Sequence, residues 1–162
     1  MMDNDNKNGT GKSELIQLVS FKLGAEEFGV NILKVQEINR LMEITQMPGS
    51  PDFVEGIINL RDKVIPVINL RKRLHMDSSQ KDKNTRIIVV EIEGRILGFI
   101  VDSVSKVLRI SSDIIEPAPD ISVGIKADYI SGVAKLESSL LIFLDLNRVL
   151  SHEEVSQLNK AA

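Results

Sequence analysis

The chain contains an internal repeat, which limits the folds that it can adopt. Residues 56–74 (GIINLRDKVIPVINLRKRL) align without a gap on residues 132–150 (GVAKLESSLLIFLDLNRVL), at an offset of 76. A second pair of segments, 21–38 and 90–107, aligns at an offset of 69. Its matched positions include Gly29/Gly98, Val35/Val104 and Ile38/Val107. Because the two alignments are collinear, they predict a duplicated chain whose halves fold in the same order.

Each half consists mainly of segments with the length and composition of short strands. The strand-sized segments are LIQLVSFKL, EEFGVNI, GIINL, VIPVINL, RIIVVEI, RILGFIV, YISGVAKL and LLIFLDL. Turn-forming pairs separate them: Gly24-Ala25, Arg61-Asp62, Glu93-Gly94 and Glu137-Ser138. Helical signals are few: one turn at 51–55, short helices at 70–74 and 146–150, and a capping box, Ser151-x-x-Glu154, that opens a C-terminal helix.

This pattern predicts an all-β fold of two small five-stranded barrels packed together, with short helices. Closure removes the exposed edges of a small sheet, and a barrel of about 70 residues has little core, so two should pack on each other. We expect a groove at their seam, where binding sites tend to occur. The predicted organisation is a disordered tail (1–13), a domain (14–150) of two subdomains (roughly 14–83 and 84–150), and a C-terminal helix (151–162).

The sequence offers little for catalysis or for a cofactor. It contains no Cys, and its two histidines, His75 and His152, lack metal-binding spacing and follow the repeats, where we expect them at the surface. We therefore predict no enzyme, no catalytic residue, no cofactor and no metal. A hydrolase with paired carboxylates stays open, because folding could bring scattered acidic residues together.

The charge balance disfavours nucleic acid. The net charge is −3 and aromatic residues are 4%, and the one basic cluster is Arg71-Lys72-Arg73. A small β-barrel module that binds single-stranded nucleic acid is the alternative. No apolar run is long enough to span a membrane, and the polar N-terminus is no secretory signal. The expected location is cytoplasmic, without direct membrane insertion.

Two charged residues allow two interpretations each. Arg61 ends a strand at a tight turn, and Glu37 lies in the apolar segment 32–38. Each could be a solvated residue or part of a structural ion pair. Each could instead orient a partner, since an apolar groove with one or two charges suits a partner helix.

Several segments, in order, resemble the CheW family of bacterial chemotaxis coupling proteins. They are LGAEEFGVNILKVQEI (23–38), GIINLRDKVIPVINLR (56–71), GFIVDSVSKVL (98–108), IIEPAP (114–119) and the closing LLIFLDLNRVL. The resemblance implies two intertwined SH3-like barrels and an adaptor without catalytic activity. It implies two partners: the regulatory domain of the histidine kinase CheA, and the cytoplasmic hairpin tip of methyl-accepting chemotaxis receptors, with association at the membrane receptor arrays.

The resemblance also implies sites. The expected receptor-binding residues are Val35, Glu37, Ile38, Arg61, Gly98, Val104 and Val107. The expected kinase-binding residues are Gly56, Glu116 and Ile121. Asp62 stands where the family usually has glycine after the turn arginine.

Overall fold

The computed structural model describes residues 14–77, 80–117 and 129–161, and for 159–161 the backbone alone. Two antiparallel hairpins and an edge strand open the chain: β1 (Leu15–Leu23), β2 (Glu26–Asn31), β3 (Val35–Arg40), β4 (Val54–Leu60) and β5 (Lys63–Asn69). The same pattern follows in the second half: β6 (Arg86–Ile92), β7 (Arg95–Val101), β8 (Ser103–Ser111), β9 (Ile115–Glu116), β10 (Ile130–Lys135) and β11 (Leu140–Leu144). The helices are α1 (Leu70–Arg73), α2 (Leu146–Val149) and α3 (His152–Ala161).

The strands form two sheets, each closed on itself. The first has the order β9-β10-β11-β2-β1-β8, and a short 3-10 turn leads β8 directly into β9. The second has the order β3-β6-β7-β5-β4. The chain beyond β3 returns to β4, where Thr45 and Ile57 exchange two backbone hydrogen bonds of 2.8 and 2.9 Å. The all-β architecture of two small barrels is therefore confirmed. We name them barrel 1 and barrel 2.

Each barrel combines strands from both halves of the chain. Barrel 1 takes β1 and β2 from the first half, and barrel 2 takes β6 and β7 from the second. The parallel pairs β2–β11 and β5–β7 join the halves within each barrel. The division between the sheets thus differs from the division between the repeats, because the first hairpin of each half joins the other half's strands.

Residues that are equivalent in the sequence repeat occupy equivalent positions in the structure. A Cβ atom on Gly56 would overlap the carbonyl oxygen of Thr45, and one on Gly132 would lie 2.7 Å from that of Glu116. Arg73 donates a 2.6 Å hydrogen bond to the carbonyl oxygen of Val149, its own equivalent at offset 76. A residue that contacts its equivalent must lie close to the axis of a twofold relation, so a pseudo-twofold axis passes near α1 and α2.

The largest apolar cluster, which we name the central cluster, lies between the barrels and not inside either one. Phe21 and Phe28 of barrel 1 stack with ring centroids 5.8 Å apart and join this cluster with Ile88 and Phe99 of barrel 2. Smaller separate clusters fill barrel 2, around Val67 and Ile87, and barrel 1, around Leu18 and Leu141. The seam is thus the main core of the molecule, since each barrel alone encloses little apolar volume.

The short helices at 70–74 and 146–150 are confirmed. The predicted helical turn at 51–55 is wrong, because residues 52–53 form a simple turn closed by a 3.0 Å hydrogen bond from Val54 to the Pro51 carbonyl. The capping box is confirmed in both directions: Ser151 N donates to Glu154 Oε1 at 2.8 Å, and Glu154 N donates to Ser151 Oγ at 3.1 Å. Val155 and Leu158 of α3 are buried against the central cluster. The tail, 1–13, lies outside the described residues.

Candidate functional site

Four apolar residues on two edge strands form the margin of the central cluster. Cross-strand partners point to the same face of a sheet. In β3, Val35 pairs with Val90 and Ile38 with Ile88; in β8, Val104 pairs with Phe21 and Val107 with Val19. All four partners belong to the central cluster. We name Val35, Ile38, Val104 and Val107 the seam strip, because the pairing register places all four on the seam side.

The seam strip is only partly covered. Val35 and Val104 are half-buried and pack against the central cluster, whereas Ile38 is 39% exposed and Val107 53% exposed. Exposed apolar side chains that continue a core are a feature of interaction surfaces. The strip therefore offers an apolar contact at the surface, supported from below by a rigid interior.

Large side chains fill the interior of the seam. Phe21, Val30, Val90 and Phe99 enclose a void of only about 10 Å³ there. The reason is that the inward faces of both sheets supply large side chains, which fill the space between the barrels. A partner can approach the strip from outside but cannot enter between the barrels at this point.

Arg61 forms an ion pair with Glu37, the residue that precedes Ile38 in β3. Nη1 of Arg61 donates to Oε2 of Glu37 at 2.5 Å and Nη2 donates to Oε1 at 2.8 Å, a two-point contact. Hydrogen bonds from Arg61 lower the pKa of the Glu37 carboxyl below its usual value, although desolvation opposes the shift. The Arg61 side chain is 74% exposed. Since β3 and the β4–β5 turn belong to barrel 2, this pair stiffens the rim of one barrel and does not join the two.

The remaining predicted site residues do not belong to the seam strip. Gly98 is buried in barrel 2, where an added Cβ would lie 2.8 Å from Cγ2 of Ile87. Gly56 is buried beneath Thr45. Glu116 is exposed on β9 of barrel 1, and Ile121 lies outside the described residues.

A second ion pair was not singled out from the sequence. Arg71 binds Asp102 through Nε at 2.9 Å and Nη2 at 2.5 Å, and Asp102 also accepts a 2.7 Å hydrogen bond from the Gly24 backbone. These bonds, those from Arg71 first, lower the pKa of Asp102 against its desolvation. The pair ties α1 to the β1–β2 turn and thus joins the barrels.

Arg73 holds the C-terminal helix. Its Nη2 donates to Glu154 at 2.9 Å, and its guanidinium carbon lies 4.9 Å from the ring centre of Phe53 and 5.4 Å from that of Tyr129. Arg73 belongs to the basic cluster Arg71-Lys72-Arg73 of the sequence. The buried residues Leu70 and Leu74 on either side of this cluster are the sequence signal that it lies against the core.

His75 and His152 are both exposed, as predicted. Nδ1 of His152 lies 2.6 Å from Oε1 of Glu93. Among residues 14–77, 80–117 and 129–161, no three His, Cys, Asp or Glu side chains are placed to hold a metal ion. Within the same ranges, no helix is both long enough and apolar enough to cross a membrane.

Comparison with known proteins gives a consistent result. The CheW-like domain family matches residues 17–154. The chain is similar to the chemotaxis protein CheW of Klebsiella aerogenes, with 37% identity over 146 residues, which cover 90% of this chain and 88% of that one. It is also similar to the chemotaxis protein CheW of Treponema pallidum, with 36% identity and the same coverage. Among solved structures, the scaffolding protein TtCheW from Thermoanaerobacter tengcongensis matches with a TM-score of 0.80 and 38% identity, covering 87% of this chain and 91% of that one.

Proposed function

The chain belongs to the CheW family of chemotaxis coupling proteins, and we propose that it links chemoreceptors to the histidine kinase CheA by binding each at a separate surface. The receptor partner is the cytoplasmic hairpin tip of a methyl-accepting chemotaxis receptor, and the kinase partner is the regulatory domain of CheA. The protein then works at receptor arrays on the cytoplasmic side of the membrane, as an adaptor and not as an enzyme.

The observation that carries the receptor site is the seam strip. Val35 and Ile38 pair with Val90 and Ile88, which are two residues apart on β6, so they lie about 7 Å apart along the sheet, close to the rise of about 6 Å between residues i and i+4 of an α-helix. An amphipathic helix contacts its partner through apolar residues at such spacings. A helix laid along the seam therefore covers the exposed faces of Ile38 and Val107 with its own apolar side chains.

The Arg61–Glu37 pair orients this contact. A guanidinium held by one carboxylate has donors left over for a partner's carboxylate or carbonyl oxygen. Because the pair is exposed, it contributes to specificity and association rate more than to affinity. Buried Gly98 supports the surface through packing.

The kinase site lies away from the strip in this proposal. Glu116 is exposed on β9, and Gly56 shapes the rim of barrel 2 against Thr45. Single-stranded nucleic acid is not favoured, given the net charge of −3 and the family of the chain.

One apolar-to-charged substitution tests the receptor site. Val107→Asp places a carboxylate on the strip, and we expect at least tenfold weaker binding of a receptor-tip fragment, because the helix would have to desolvate that charge. Isothermal titration calorimetry with the receptor-tip fragment, and separately with the CheA regulatory domain, measures the two interactions.

Val64→Asp is the matched control. Val64 is 47% exposed, close to the value of 53% for Val107, but it lies on β5 outside the strip. Receptor binding should survive Val64→Asp, and CheA binding should survive Val107→Asp. Equal loss of receptor binding in both variants would contradict a receptor site at the strip.

A further inference from the structure

Two arginines lie directly opposite each other at the end of β3 in barrel 2. In the strand register, Arg40 of β3 pairs with Arg86 of β6. Arg40 is exposed and Arg86 is half-buried. Like charges that face each other across neighbouring strands destabilise a sheet. The pair therefore lowers the stability of the free protein unless an anion offsets its charge.

The chain itself does not supply that anion. Neither Arg40 nor Arg86 forms an ion pair with any other residue in the part of the chain that the structure describes. Asp82 is the acidic residue closest to Arg86 in the sequence, and it accepts a 2.8 Å hydrogen bond from the backbone N–H of Asn84 instead. The positive charge of the pair is thus available to a partner.

Arg86 is held in place without losing its charge. Its Nη1 donates hydrogen bonds to the carbonyl oxygens of Lys83 and Thr85, both at 2.9 Å. Carbonyl groups are neutral, so these bonds orient the guanidinium but leave its net charge uncompensated. Because the side chain is already ordered, less conformational entropy is lost when an anion binds to it.

The arginine pair lies on the seam side of barrel 2. Arg40 follows Ile38 by two residues on β3, and side chains two residues apart on a strand point to the same face. Their partners, Arg86 and Ile88, are likewise two residues apart on β6. Val101, which pairs with Arg86 from β7, belongs to the central cluster. Arg40 therefore continues the apolar row of β3, about 7 Å beyond Ile38.

The repeat shows that the double charge is particular to barrel 2. Arg109 of β8 is equivalent to Arg40 at offset 69, but its partner on β1 is Gln17, the equivalent of Arg86. The same place in barrel 1 thus carries one positive charge opposite a neutral amide. Two facing arginines are not required by this position in the fold.

We propose that Arg40 and Arg86 together bind a carboxylate side chain of the receptor helix. A guanidinium matches a carboxylate in shape and charge and binds it through two parallel hydrogen bonds. Residues i and i+4 of an α-helix are about 6 Å apart, close to the spacing of Ile38 and Arg40. A helix that follows β3 then carries an acidic residue about one turn from the apolar residue that covers Ile38. This inference rests on the proposed function, and the two arginines are specificity-determining residues within it.

A double-mutant cycle tests the contact. Arg40→Gln should weaken binding of a receptor-tip hairpin fragment about two- to fivefold in calorimetry, the size expected for an exposed charge pair. The loss should shrink as the NaCl concentration is raised, because salt screens exposed charges. Each Asp and Glu of the fragment is then replaced by Ala and titrated into both proteins. We expect one of these replacements to weaken binding to the unmodified chain but to have little further effect on Arg40→Gln.

Lys135→Gln is the matched control. It removes one positive charge from an exposed residue of β10, outside barrel 2, and should leave binding of the fragment unchanged. Arg40 is substituted in preference to Arg86, because Arg86 also holds the turn at 83–85. In urea denaturation, Arg40→Gln should be at least as stable as the unmodified chain, since it removes repulsion from Arg86. A clear loss of stability would show that Arg40 has a structural role and would contradict the inference.

The outcomes separate this inference from the proposed function. If Val107→Asp weakens binding but Arg40→Gln does not, the receptor site stands and the carboxylate contact is wrong. The contact is also wrong if no acidic residue of the fragment couples to Arg40, or if Lys135→Gln weakens binding as much as Arg40→Gln. If the unmodified chain does not bind the fragment, the proposed receptor site fails and the inference fails with it.

Discussion

At the scale of single residues, Arg61 combines an unusual backbone with an exposed side chain. Arg61 and Asp62 both adopt positive φ, 51° and 67°, as the tight β4–β5 turn requires. Asp tolerates this left-handed conformation better than most residues other than glycine. Asp62 therefore fits the turn where the family usually has glycine, and the turn holds Arg61 against Glu37.

We predict that Arg61→Ala weakens receptor-tip binding without unfolding the protein. The ion pair is exposed, and exposed pairs contribute little to stability. Arg61→Lys should bind with intermediate strength, because it keeps the charge but loses the two-point geometry. Calorimetry gives the affinities, and far-ultraviolet circular dichroism reports the fold. Unfolding of Arg61→Ala would show that the residue is a structural ion-pair partner, against the role proposed here.

The Arg71–Asp102 pair predicts an acid-sensitive contribution to stability. The pKa of Asp102 is lower in the folded chain than the usual value of about 3.9 in an unfolded one. The stabilisation is therefore complete at neutral pH and is lost as the pH falls below about 4 and passes through the folded pKa. Asp102→Asn should lower the free energy of unfolding at pH 7 and flatten its decline below pH 4.

Urea denaturation at a series of pH values measures this effect. Asp52→Asn is a suitable control, because Asp52 is exposed and no described residue forms an ion pair with it. A steep acid decline that persists unchanged in Asp102→Asn would mean that other carboxylates account for it.

At the scale of secondary-structure elements, closure of each barrel depends on one glycine. Gly56 has φ +152° and faces the Thr45 carbonyl oxygen, and Gly132 faces Ile115 and Glu116 at 2.5 and 2.7 Å from the position of a Cβ. Each glycine lets the chain that returns to its barrel approach the strand closely. The importance of Gly56 therefore lies in the shape of the rim, and any effect on kinase binding would act through that shape.

Gly56→Ala should lower the free energy of unfolding by about 2 kcal/mol or more, because the new methyl group overlaps backbone that cannot move freely. Gly94→Ala is the control: Gly94 also has positive φ, +77°, but nothing lies within 4 Å of its added Cβ. Its cost should be limited to about 1–2 kcal/mol of backbone strain. Equal losses in the two variants, measured by urea denaturation, would contradict the closure role.

The elements that the sequence predicted well have local signals, although the local signal at 51–55 was misleading. The hairpin turns at Arg61-Asp62 and Glu93-Gly94 and the capping box at Ser151 are each specified within four residues. Contacts between residues that are far apart in the sequence have no such local signal and were not predicted. Both Arg61 and Glu37 were singled out, but their pairing depends on how β3 and the β4–β5 turn meet across barrel 2. The partnership of Arg71 with Asp102 likewise depends on the packing of α1 beside β7.

At the scale of the whole molecule, the repeat predicted two equivalent barrels but not their exchange of hairpins. Alignment at offsets of 69 and 76 gives the order of the strands, whereas pairing is decided by contacts such as the parallel pairs of Gly29 with Phe143 and Gly98 with Val67. The interior of the seam is filled because the exchange brings Phe21 and Phe99 together between the barrels. A tightly packed seam holds the two barrels in fixed relative positions. The proposed receptor and kinase sites then also keep a fixed relation, as an adaptor requires.

Amide chemical-shift mapping shows whether a receptor helix covers the seam strip. The measurement uses the full chain, labelled with ¹⁵N and titrated with the receptor-tip fragment. We predict the largest shifts along β3 and β8, at Val35, Ile38, Val104 and Val107, with little change at exposed Val64 and Leu140. Shifts concentrated at Val64 or Leu140, with the four strip amides unmoved at saturation, would exclude the strip as the receptor site.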